Sequence, residues 1–60
     1  MVSLIYKSVV ITVYQSEIDG KFMPCIRLPN ETRDRLLDLE GADTIARAVK
    51  AARIEIDKLP

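Results

Sequence analysis

The chain has no histidine and no tryptophan, and Cys25 is its only cysteine. One thiol closes no intrachain disulfide, and without histidine or a second thiol the common structural zinc sets cannot be assembled. The same lack leaves Cys25 without an imidazole to activate it as a nucleophile, so we read it as a small apolar filler. Basic and acidic residues number nine each and cancel. The two signs are interspersed, so the chain lacks both the basic block that tracks phosphates and an acidic tail. Smooth apolar runs are missing too. The opening MVSLIYKSVVITVY is interrupted by Tyr6, Lys7, Ser8 and Thr12. It has neither the basic start nor the small-residue cleavage site of a signal peptide, and it is too short and too polar to span a membrane. The expectation is one cytoplasmic domain over residues 1–60, its thiol kept reduced.

A chain of 60 residues is marginal alone, because a small fold buries a smaller share of its surface than a larger one. Folds of this size usually add disulfides, a metal or a partner subunit. Composition removes the first two. That leaves unusually good packing or a partner chain, and the partner is favoured.

What is present points to an α+β fold. Over residues 42–59, Ile45, Val49, Ala52, Ile56 and Leu59 recur at steps of four and three, with Ala48 beside them. This spacing places them on one stripe of an amphipathic helix, with Arg47, Lys50, Asp57 and Lys58 on or toward the other side. Gly41 or Asp43 is expected to start the helix. Upstream, residues 4–14 are rich in Val, Ile, Tyr and Thr and read as one strand, with Val9, Ile11 and Val13 toward the core. Asp19-Gly20 is the preferred pair for a two-residue type I′ hairpin turn. It predicts Val13 opposite Ile26, Ile11 opposite Leu28, Tyr14 opposite Cys25 and Thr12 opposite Arg27. In that register the missing N–H of Pro24 points away from the hairpin, which places the second strand near an edge. Residues 30–41 allow two readings. Asn30 and Gly41 fit the ends of a short helix, whereas Leu37 and Leu39 alternate with Asp38 and Glu40 as in a half-buried strand. A third strand at 35–39 covers the helix better, giving a β-β-β-α layout. The expected core is Ile5, Val9, Ile11, Val13, Phe22, Ile26, Leu28, Leu37 or Leu39, Ile45, Val49, Ile56 and Leu59.

Two fragments, IDGKF at 18–22 and ARIEID at 52–57, resemble a group of small bacterial proteins with a β-β-β-α plan. In that group a Gly-turn hairpin and a third strand precede an alanine-containing helix that closes on a similar Arg-x-x-Ile-Asp pattern. The resemblance implies a topology and no activity. This chain departs from it at 33–39, where the group tends to carry an aromatic and leucines stand here.

No residue set is expected to be catalytic, to ligate a metal or to bind a cofactor. Arg53 and Asp57, four apart on the helix, read as a surface ion pair. The carboxylate pairs Asp38/Glu40 and Glu55/Asp57 read as ordinary solvated charge. The more informative feature is apolar surface where water is expected. Tyr6, Val10, Tyr14 and Met23 are assigned to the sheet face away from the helix, and Ile54 lies nearly opposite the helix stripe. These five form the candidate interface, and the function expected is a non-enzymatic interaction module, a homodimer or a binder of another protein. The alternative is a single-stranded nucleic-acid binder stacking bases on Tyr6 and Tyr14, with Lys7, Lys21 and Arg27 alongside, which zero net charge disfavours. A small regulator of the antitoxin or phage kind fits size and layout alone.

Overall fold

The apolar run at 4–14 folds as two strands. In the computed structural model, which describes residues 2–37 and 41–59, β1 (Val2–Tyr6) and β2 (Val9–Gln15) pair antiparallel with Tyr6 opposite Val9. Lys7 and Ser8 between them both adopt positive φ, 50° and 66°, the two-residue type I′ geometry whose twist matches that of the flanking strands. Neither residue is the Gly or Asn that this conformation favours.

The turn reverses the assignment of faces in β1. Leu4 lies opposite Ile11 and Tyr6 opposite Val9, so the even-numbered residues of β1 join the odd-numbered core face of β2. Tyr6, expected on the outer face, is half-buried against the core, and Ile5, expected in the core, is 72% exposed on the outer face.

β3 (Phe22–Arg27) pairs with β2 two residues away from the expected register: Ile11 faces Ile26, Val13 faces Pro24, Tyr14 faces Met23 and Thr12 faces Cys25. The cause is a four-residue loop in place of a two-residue one. Ser16 N–H donates to the Lys21 carbonyl at 2.7 Å and Gly20 N–H to the Ser16 carbonyl at 2.9 Å, leaving residues 17–20 as the loop. Only Gly20 takes positive φ there (71°), while the Asp19 carboxylate accepts from Lys21 N–H at 3.1 Å. Because the shift is two residues, Ile11, Val13 and Ile26 keep their core face.

Pro24 turns its missing N–H away from β2 as expected, but β3 is an interior strand. Its far side pairs with the two-residue β4 (Arg35–Leu36), and the Pro24 carbonyl accepts from Leu37 N–H at 3.3 Å. Phe22 and Ala42 extend that side with mutual hydrogen bonds of 2.8 and 2.9 Å. The expected strand at 35–39 is thus present at its start. Asp38, Leu39 and Glu40 lie outside the described residues. A β-carbon at Gly41 would stand 2.6 Å from the Lys21 β-carbon, so this approach requires glycine.

The sheet order is β1-β2-β3-β4, antiparallel throughout, and α1 (Ile45–Asp57) packs on β2 and β3. Among the described residues this is an α+β fold with four strands where three were expected, and one C-terminal helix. Thr44 caps the helix, its hydroxyl accepting from Arg47 N–H at 3.1 Å, in place of Asp43 or Gly41. The buried line is Ala48, Ala52 and Ile56, with Val49 half-buried and Ile45 and Leu59 37% and 39% exposed at its ends. Both alanines are fully buried, so the seam nearest the sheet is lined by small side chains rather than by Val49.

Candidate functional site

Strand register builds the outer face of the sheet in rows. Ile5, Val10 and Arg27 form one, Ser3, Thr12, Cys25 and Leu36 a second, and Tyr14 and Met23 a third. Thr12 and Cys25 are buried at its centre by their neighbours, and the Ser3 and Thr12 hydroxyls share a hydrogen bond of 3.3 Å. Around them stand the exposed side chains of Ile5, Leu36 (66%) and Tyr14 (39%). Burial, reinforced by Asp34, raises the Cys25 thiol above its ordinary pKa, which holds it protonated and poorly nucleophilic. Burial also raises Tyr14, with Asp34 again adding to it; the Tyr14 hydroxyl donates to the Asp34 carboxylate at 3.5 Å.

The five expected interface residues do not form one patch. Val10, Tyr14 and Met23 share the outer face, Tyr6 is on the helix side, and Ile54 (48% exposed) is on the solvent side of α1. Tyr6 and Tyr14 therefore lie on opposite faces and offer no common stacking platform. Ile5 and Leu36 belong to the outer face and were missed. For Ile5 the only signal was Lys7-Ser8, a polar pair interrupting an apolar run, which marks a turn once the strand is read as two.

Tyr6 instead joins a charged cluster that ties the first hairpin to the end of α1. Its hydroxyl donates to both Asp57 oxygens at 3.0 and 3.3 Å, Lys7 Nζ reaches Asp57 Oδ1 at 2.6 Å, and the Arg53 guanidinium sits 4.9 Å above the Tyr6 ring. Asp57 thus pairs with Lys7 across the fold, and Arg53 stacks on Tyr6, in place of the expected Arg53–Asp57 pair. The Lys7 and Tyr6 hydrogen bonds hold the Asp57 carboxyl below its ordinary pKa, and Asp57 holds Lys7 above its own. Glu55 pairs with Lys58 at 3.3 Å, so the Glu55/Asp57 carboxylates serve separate cations. An open cleft of about 290 Å³ beside this cluster is lined by Lys7, Val9, Leu28, Pro29, Ile56, Asp57 and Leu59. Its two charged groups neutralise each other, which makes it the seam between hairpin and helix.

Among the described residues no helix is long and apolar enough to cross a membrane. No protein-family model, no curated protein and no solved structure matches the chain.

Proposed function

We propose that this chain is a non-enzymatic interaction module that works as a homo-oligomer, in its simplest form a dimer. One observation carries the reading: α1 covers one face of the sheet, and the other presents Ile5, Val10, Tyr14, Met23 and Leu36 with no element of the described residues over them. The core is modest, since two of its seven buried members, Ala48 and Ala52, contribute little apolar area. Apolar area buried between copies adds to that core, and closed two-fold pairing is the commonest way to bury it. Balanced charge places no net repulsion between copies. Cytoplasmic residence belongs to the same reading, because a lone thiol stays reduced there.

Sedimentation equilibrium from low to high micromolar protein tests it. The expected result is a mass rising to that of a dimer, with a melting temperature that rises with concentration. A monomer mass throughout, with a constant melting temperature, contradicts it.

A further inference from the structure

We propose that β1 is the pairing element: two copies join antiparallel through the outer edge of β1, about a two-fold axis at Leu4, with Ser3 of each facing Ile5 of the other. This rests on the self-association reading and places the contact at the sheet edge, where Ile5 is the one side chain of the outer-face set to take part.

The backbone supplies the first argument. Tyr6 and Val9 close a two-residue turn and are therefore a hydrogen-bonded pair. By alternation Val2, Leu4 and Tyr6 direct their N–H and C=O groups toward β2, and Ser3 and Ile5 direct theirs outward. Among the described residues no strand pairs with that edge. Natural edge strands are protected against pairing by charge, proline, bulges or brevity. β1 reads VSLIY over five residues: it has no charged residue and no proline, and its register with β2 is unbroken. Such an edge is built to be paired.

Self-complementarity selects a second copy as the occupant. With Ser3 opposite Ile5, both outward residues of each strand form hydrogen-bonded pairs within Val2–Tyr6, and four N–H···O bonds result. Pairing Ile5 with Ile5, or Ser3 with Ser3, leaves the other outward residue without a partner inside the strand. The side chains agree with this register. On the outer face the two exposed Ile5 side chains become diagonal neighbours. On the helix side Leu4 meets its own copy, and Val2, 37% exposed, lies beside the half-buried Tyr6 of the second copy. No like charges meet. The two four-stranded sheets become one continuous sheet with both helices on the same side.

Paired charges on the edge test this. In Ser3→Lys/Ile5→Lys, lysine faces lysine twice across the axis, whereas in Ser3→Glu/Ile5→Lys each lysine faces a glutamate. A third variant, Asn30→Lys/Thr32→Lys, places the same added charge at exposed positions of the loop before β4, outside the outer-face set. Sedimentation equilibrium, with folding checked by far-UV circular dichroism, should show the first variant weakened in dimerisation by roughly tenfold or more. The other two should remain dimers. If the first variant unfolds while the second stays a folded dimer, the pairing is again supported, since the fold then depends on it. If both edge variants dissociate, the dimer forms through the outer face and the β1 pairing is wrong while self-association stands; if the loop variant dissociates as well, added charge alone breaks the dimer and the β1 pairing is again wrong. If no variant dissociates, β1 is not in the interface. A wild-type monomer overturns the self-association reading itself.

Discussion

β1 and β4 close opposite edges of one sheet, yet β1 is five uncharged residues in unbroken register and β4 is two residues preceded by Arg33 and Asp34. Arg35 within β4 is held by Glu31 in an exposed ion pair, so charge stands along that edge. β4 thus has two of the standard protections against edge pairing, brevity and charge. β1 has neither. It is held in place at its turn, where Tyr6 and Lys7 grip Asp57 of the helix. The contrast teaches that exposed apolar area alone does not locate an interface. Leu36 and Ile5 are similarly exposed, at 66% and 72%, but Leu36 lies on a two-residue edge beside Arg35, whereas Ile5 lies on a five-residue edge without charge.

Four changes bear on how each edge is held. The largest effect is expected at the helix on which the whole sheet rests. Ala52→Asp buries an unpaired charge at a fully buried position and should unfold the protein, at a cost of several kcal/mol. Val49→Asp, half-buried, should cost visibly less in urea denaturation; equal losses would place the helix seam on Val49 instead. Next, Gly41→Ala, on the β4 side of the sheet, sets a methyl 2.6 Å from the Lys21 β-carbon and should lower stability by about 1–3 kcal/mol. A neutral result would mean the Phe22–Ala42 bridge is looser than its hydrogen bonds indicate. On the β1 side the sign reverses. Ser8→Gly relieves a left-handed residue (φ 66°) and should raise stability by about 1 kcal/mol, read from the shift in denaturation midpoint.

The smallest effect concerns pH. The folded pKa of Asp57 is lowered, chiefly by the Lys7 hydrogen bond and then by Tyr6. Its contribution is therefore present above the ordinary carboxylate range and is lost as pH falls through that range toward the lowered value. Lys7 is shifted upward, so its share is lost only as pH rises through its raised pKa in the alkaline range. Both side chains are about half exposed, and solvent screening keeps the effect small. Thermal melts across the acid range should show a shallower decline for Asp57→Asn than for the wild type. Parallel curves would mean that the tie between hairpin and helix adds nothing.

The helix, its apolar side and the core face of β2 were legible because period and parity survive small errors in register. Turn chemistry was not. The preference for Asp-Gly drew the type I′ turn to residues 19 and 20, where a four-residue loop held by the Asp19 carboxylate stands instead. The real two-residue turn uses Lys7 and Ser8, residues with poor intrinsic preference for it, and it is supported by the Lys7–Asp57 contact, which joins residues far apart in sequence. That single turn decides the parity of β1, so missing it exchanged Ile5 with Tyr6 and scattered the expected interface. Val10, Tyr14 and Met23 were placed correctly because β2 and β3 slipped by an even number of residues.

The pairing of β1 is tested most directly by amide hydrogen exchange, residue by residue, at two protein concentrations. Leu4 and Tyr6 donate within the sheet and should be protected at both. Ser3 and Ile5 face outward and should exchange rapidly when dilute, then gain protection in step with dimer formation. Fast exchange of Ser3 and Ile5 in a sample shown to be dimeric would contradict the account.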